Sequence, residues 1–258
     1  MSPLLALVLL GGCGEDVPDG ADPAQVDAAQ PSAVGGCRNL DPKHTSEPTN
    51  ASPLVPCTEP HTAETFAAGE LPAQFDDADY QAEELDRWAY RACSDALVTY
   101  LGGDQSTVMR SILSWVWFRP SPKAWDAGAR WYRCDVVGGG PLSKRYLDLP
   151  TTTRGLMARA NDDHWMACVR GKTVAEGSKV PCSKPHEWRA VTTIKVGEPS
   201  EPYPGDEAVV ATTKDFCSGS VGAWLGYPAD YDYGYTWFGE AEWEAGNRRS
   251  VCWARTAK

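Results

Sequence analysis

The chain has 258 residues, 42% of them hydrophobic, which gives room for one large or two modest domains. Its formal net charge of -11 and pI near 4.8 exclude a nucleic-acid partner, because binding a polyanion draws on clustered Lys and Arg and no basic run occurs. Nine cysteines, eight of them in two matched sets of four, argue against a reducing compartment.

Leu4 to Leu10 form an apolar run that closes in Leu10-Gly11-Gly12-Cys13. The run is too short to cross a bilayer, which takes about 20 apolar residues. It resembles the hydrophobic region and lipobox of a bacterial lipoprotein signal, so residues 1–13 are expected to be a signal and Cys13 the lipidated residue. No Lys or Arg precedes the run, which departs from the basic start of such signals. An ordinary secretory signal is the alternative, and it leaves Cys13 without a role. Residues 14–35 are mostly Asp, Ala, Pro, Gly and Gln, too poor in large apolar side chains to order themselves, and are expected to be a flexible tether.

Val55-Pro56-Cys57-Thr58-Glu59-Pro60-His61 returns as Val180-Pro181-Cys182-Ser183-Lys184-Pro185-His186, so one unit is written twice. Unit one is expected over residues 36–137, a linker over 138–160 opened by Gly138-Gly139-Gly140-Pro141, and unit two over 161–258. In unit one a strand is expected around Glu64 to Ala68. A helix follows from Ala82 to Leu101, where Leu85, Trp88, Ala89, Ala92, Cys93, Ala96, Leu97, Tyr100 and Leu101 recur at three- and four-residue steps. Asp76, Asp77 and Asp79 are its capping candidates and Gly102 its stop. Ser111 to Phe118 is rich in Ile, Val and Trp, Trp125 to Gly128 is turn-like, and Arg130 to Val137 alternates as a strand. Unit two repeats the order, with a strand at Trp188 to Val196, a helix from Asp206 to Leu225 and Gly226 as its stop. Trp243 to Arg248 leads to Cys252 as Trp125 to Arg130 leads to Cys134. The fold class is therefore α+β: two tandem repeats, each a small antiparallel sheet packed on one helix and stapled by disulfides.

These residues resemble the septum formation-related domain family of actinobacterial envelope proteins, in two tandem copies. The resemblance rests on Cys37 after a glycine, the V-x-C-x-x-P-H-x-x-E segment from Val55 to Glu64, Cys93 on a helix ending in Leu101-Gly102, and W-x-x-G-x-R from Trp125 leading to Cys134. It implies an extracytoplasmic protein, carries no catalytic activity across, and suggests a link with septum formation. Unit two departs from the pattern where Arg189 stands in place of Glu64.

Cys57-x-x-x-His61 and Cys182-x-x-x-His186 have the spacing of zinc half-sites, but paired cysteines in an exported chain leave no thiolates for a metal, so no metal and no cofactor are expected. Three pairings are open in each unit. Joining helix to strand and first to last favours Cys57–Cys93 with Cys37–Cys134, echoed as Cys182–Cys217 with Cys168–Cys252. His61, Glu64 and His186 form a candidate polar site. Tyr231, Tyr233, Tyr235 and Trp237 put four rings on one side of an extended segment, with Trp115 and Trp117 as counterparts of Tyr235 and Trp237, a row able to stack on sugars or receive a protein. The competing reading is that these rings roof a small core. No G-x-S-x-G elbow occurs, and the neighbouring carboxylates Asp162-Asp163 and Glu240 with Glu242 read as solvated faces. The expected function is binding or scaffolding of an envelope protein or glycan from the outer face of the cell membrane, through a lipid anchor. A metal- or carboxylate-dependent envelope hydrolase and a structural spacer without ligand are the alternatives.

Overall fold

The structure, a computed structural model, describes residues 22–140, 143–158 and 162–256; the expected signal, Cys13 and the first part of the expected tether lie outside them. Unit one runs through α1 (Ala24–Asp27), β1 (Cys37–Arg38), β2 (Leu54–Val55), β3 (Ala63–Glu70), α2 (Glu83–Leu101), α3 (Gln105–Met109), β4 (Leu113–Phe118), α4 (Pro122–Asp126) and β5 (Trp131–Gly138). Unit two has β6 (Ala167–Arg170), β7 (Ser178–Pro181), β8 (Trp188–Lys195), α5 (Asp206–Trp224), β9 (Tyr233–Thr236), α6 (Glu240–Ala245) and β10 (Arg249–Arg255). Each unit is a five-stranded antiparallel sheet under one long helix, in the orders β2-β1-β3-β5-β4 and β7-β6-β8-β10-β9, which are one topology used twice. The α+β tandem-repeat fold is the one expected. Among the described residues, α1 and α3 occur in unit one alone.

Helix α2 forms because Leu85, Ala89, Cys93 and Leu97 fall at four-residue steps and bury one face; Val209, Thr213, Cys217 and Val221 do the same in α5. Both helices end at glycines in left-handed backbone, Gly102 at φ 72° and Gly226 at φ 80°, a conformation that a side chain would strain. The expected caps Asp76, Asp77 and Asp79 do not serve, since the N-cap of α2 is Ala82; Glu83, Glu84 and Asp86 instead complement the helix dipole in the first turn. The turn expected at Trp125 is the end of α4, capped by the Ser121 hydroxyl accepting from Ala124 N–H.

The eight cysteines pair within their units, with partners that correct the expected ones. The bridges are Cys37–Cys57, Cys93–Cys134, Cys168–Cys182 and Cys217–Cys252, not Cys37–Cys134, Cys57–Cys93, Cys168–Cys252 and Cys182–Cys217. Sheet order is the reason. β1 and β2 lie together at the edge, with Cys37 opposite Val55, so Cys57 just past β2 returns to Cys37. β5 lies inside the sheet, and Cys134 there meets Cys93 in the core with Phe66, Leu97 and Val136. The helix-to-strand bridges span 41 and 35 residues and the edge bridges 20 and 14. Loop-closure entropy gives about 4 kcal/mol for each of the former and about 3 for each of the latter.

Two stretches expected to be loose are part of unit one. Within the expected tether, Gln25 and Ser32 accept hydrogen bonds from the Arg38 guanidinium, Asp27 pairs with Lys123 at 2.7 Å, and Trp131 Nε1 donates to Ala28 O at 2.8 Å. Small polar residues here order themselves by docking on a sheet face rather than by burying apolar surface of their own. Within the expected linker, Tyr146, Leu149 and Met157 are buried in the core of unit one, and Leu147 bridges Gly138. The two units meet where Ser111 bridges Met166 and where α2 packs against α6.

Candidate functional site

Strand β3 places Glu64 opposite Cys37 on one side and Val136 on the other, and turns its side chain into the protein, where it is only 2% exposed. A carboxylate so buried needs donors for both oxygens. Oε1 accepts from Tyr100 Oη and Thr152 Oγ1, both at 2.8 Å; Oε2 accepts from Thr153 N at 2.6 Å and Thr153 Oγ1 at 2.5 Å. Burial and then the neighbouring Glu64 carboxylate push the Tyr100 hydroxyl above its ordinary range. His61 is also buried, with Nδ1 2.8 Å from Glu59 O, so that nitrogen carries the hydrogen and donates it. Leu149 N–H donates to His61 O at 2.8 Å and Gly155 N–H to Tyr100 O at 2.8 Å. Residues 147–155 therefore lie across the site as an extended strap. His61 and Glu64 are legible in the sequence as site candidates, whereas the roles of Tyr100, Thr152 and Thr153 are not; their one signal is the Thr151-Thr152-Thr153 run in the expected linker.

The repeat sets His186, Arg189 and Trp224 at the positions of His61, Glu64 and Tyr100. His186 keeps its role, with Nδ1 donating to Lys184 O at 2.7 Å. Arg189 pairs with Asp163 at 2.6 Å, and Trp224 is 50% exposed. Around them opens a cleft of about 260 Å³, lined by Arg110, Met166, His186, Arg189, Trp224 and Thr256 among others. Arg110 comes from the turn after α3 of unit one, so the cleft lies at the junction of the units. Its Nε donates to Ser106 O at 3.3 Å and its Nη2 to Thr107 Oγ1 at 3.4 Å. The Arg110 guanidinium is held below its ordinary range by burial, with Asp104 opposing and the like charge of Arg189 adding. The Thr256 hydroxyl is buried without a partner among the described residues.

The aromatic row is a packing layer. Tyr233 and Tyr235, with Tyr231, lie against Cys217, Val221 and Cys252 under α5, and the Tyr231 hydroxyl donates to Ser218 O at 2.9 Å. Only Trp237 of the row is exposed, at 41%. Trp115 and Trp117 pack in the equivalent layer of unit one, Trp115 edge-on to Tyr90 with ring centres 5.6 Å apart. The expected counterparts are shifted by two residues: Trp117 lies opposite Cys134 as Tyr235 lies opposite Cys252, so Trp115 matches Tyr233. The interval to the following Trp is the same in both units, so Thr236, opposite Val251, stands in the place of Phe118, opposite Arg133, and Phe238 lies two residues further on, stacked on Trp243.

A buried ionic cluster, unexpected from the sequence, lies on the far face of the first sheet. Asp135 and Arg133 are paired at 3.0 Å, Arg38 stands 3.9 Å from the same carboxylate oxygen, and all three side chains are fully buried. Thr65 links them, donating to Asp135 at 2.7 Å and accepting from Arg38 at 2.8 Å. Burial and the charge of Arg133 push the Arg38 guanidinium down to about 10, against the pull of Asp135. The repeat held the signal: unit two has Val169, Ala190, Val251 and Trp253 at the matching positions, all buried and apolar. Among the described residues, no group of three or more His, Cys, Asp or Glu side chains is placed to hold a metal, and no helix is long and apolar enough to cross a membrane.

The family described as septum formation matches the chain twice, over residues 6–119 and 110–252. No curated protein and no solved structure matches it.

Proposed function

We propose, from the premise that this chain belongs to the septum formation family in both of its units, that it is an exported protein held at the outer face of the cell membrane by a lipid on Cys13, where it binds or scaffolds an envelope protein or glycan. The observation that carries this reading is the set of four disulfides, two closed inside each unit, one of each pair at the centre of the core. Such bridges form and persist in an oxidising compartment. The open junction cleft supports binding over a spacer role. A hydrolase built on His61 and Glu64 has less support, because the Glu64 carboxylate takes four donors from its own unit and the His61 ring is buried, with Nδ1 bonded to Glu59 O and Nε2 without a partner among the described residues.

Fractionation of cells making the full chain tests the reading. The protein is expected in the membrane fraction with no thiol open to alkylation until it is reduced, Cys13→Ser is expected to release it, and crosslinking in intact envelope is expected to recover a partner. Free core thiols in the native protein, or a Cys13→Ser variant as firmly membrane-bound as the parent, would overturn it.

A further inference from the structure

The two repeats present the same site in opposite states. In unit one Glu64 is an acceptor, and residues 147–155 lie over it with main-chain bonds to His61 O and Tyr100 O and hydroxyl bonds to the carboxylate. In unit two the acceptor is replaced by the donor Arg189, a second donor, Arg110, reaches in from unit one, and the place of the strap is a cleft of about 260 Å³. Among the described residues no main-chain N–H reaches the carbonyl of His186, whereas His61 O is taken by Leu149. The Thr256 hydroxyl is buried there without a partner.

We propose that the junction cleft binds an extended acidic peptide of a partner protein, laid across unit two as residues 147–155 lie across unit one, with a carboxylate held between Arg110 and Arg189. The inference rests on the reading of the protein as a binder and names its site and ligand class. Three features fit this ligand. The fold at this place already accepts extended main chain, as unit one demonstrates. Exchange of an acceptor for two guanidiniums reverses the polarity demanded of the incoming side chain, from hydroxyl donor to carboxylate acceptor, and a guanidinium takes a carboxylate through two parallel bonds. Trp224, half exposed beside them, offers an apolar wall for the peptide stem. Asp163 occupies one terminal nitrogen of Arg189 and neutralises part of the charge; Arg110, whose side-chain hydrogen bonds among the described residues go to Ser106 and Thr107 and whose nearby carboxylate is Asp104, supplies the second guanidinium. Both guanidiniums line the cleft, and among the described residues no carboxylate is part of that lining.

The test uses the intact protein and a synthetic peptide copying residues 147–156 with the Thr152→Asp and Thr153→Asp exchanges. Binding is followed at the indole N–H resonance of Trp224, assigned with Trp224→Phe. The acidic peptide is expected to shift that resonance saturably and to bind about tenfold or more tightly than the unexchanged copy, the margin of a charge-assisted contact. Arg110→Gln and Arg189→Gln are each expected to weaken it about tenfold. Arg110→Gln carries the test if Arg189→Gln disturbs β8, and thermal unfolding checks both. Equal binding of the two peptides overturns the proposal. So does an unmoved Trp224 resonance, and so does an equal shift from inorganic phosphate or acetate at the same concentration, which marks an anion site that takes no peptide. None of these outcomes touches membrane attachment or the state of the thiols, so failure of the cleft and failure of the wider reading are read in separate assays.

Discussion

Unit one and unit two share strand order, disulfides and helix, yet at two equivalent places they solve the same problem with opposite chemistry. On the far face of the sheet, unit one buries Arg38, Arg133 and Asp135 where unit two buries Val169, Val251 and Trp253. Under the long helix, unit one closes Glu64 beneath its own chain where unit two leaves Arg189 beside an open cleft. The positions are set by the shared backbone; the polarity is set by what covers them. Residues 22–34 bring Gln25 and Ser32 to Arg38 in unit one, whereas Val174 packs on the apolar face of unit two. Charge is tolerable on the buried face of a sheet when a covering segment brings its partners with it.

The sharpest break of this comparison is Asp135→Asn, which leaves two buried guanidiniums without their carboxylate. It is expected to cost about 3–5 kcal/mol in urea unfolding. The triple exchange Arg38→Val, Arg133→Val, Asp135→Trp, which writes unit two's residues into unit one, is expected to cost less than the single one, because it removes the charges together. A triple variant less stable than Asp135→Asn would mean that the ionic cluster is worth more than its apolar counterpart.

Next comes the paired test of the two sites. Glu64→Ala strands the hydroxyls of Tyr100, Thr152 and Thr153 and one main-chain N–H, and is expected to lower stability by about 3 kcal/mol. Arg189→Ala removes a pair with an accessible partner and is expected to cost under about 1 kcal/mol. Similar losses in the two variants would sink the distinction between a site built for structure and one left for a ligand. A smaller effect separates packing from display in the aromatic row: Tyr233→Ala with Tyr235→Ala is expected to lose about 2 kcal/mol, from the area these rings bury under α5. Unchanged melting would return the row to the status of a free surface.

Much of this architecture was legible in one sequence because repetition stands in for an alignment. The long helices, their glycine stops and the cysteine sets follow from spacing alone, and each was found twice. Pairing of the cysteines was not legible, since the choice of Cys57 or Cys134 as the mate of Cys37 depends on which strands are neighbours, and two-residue strands such as β1 and β2 leave no pattern of their own. Nor were the partners of Glu64, because they come from a segment whose composition reads as linker and whose order depends on docking. The ionic cluster was available by subtraction: a charged residue in one repeat at a position where the other is apolar marks a change of covering layer.

The last difference between the units is α3, which follows Gly102-Gly103 in unit one and is replaced in unit two by the exposed Tyr227, with positive φ, and Pro228. This short helix delivers Arg110 to the cleft of its neighbour. Its N-cap is Asp104, whose side chain accepts from Thr107 N–H at 2.7 Å, and that bond holds the carboxyl below its ordinary range. A carboxyl whose folded value is depressed contributes stability above its unfolded value, near pH 4, and loses it as pH falls through the folded one. Asp104→Ala is expected to cost about 1 kcal/mol at neutral pH and less below that window, so the stability curves of variant and parent should converge in acid. Because α3 is the mount of Arg110, the same variant is expected to weaken the acidic peptide at neutral pH while leaving Glu64 and its strap intact. Undiminished peptide binding with the lost stability would show that Arg110 is held by Ser106 and Thr107 without need of the cap.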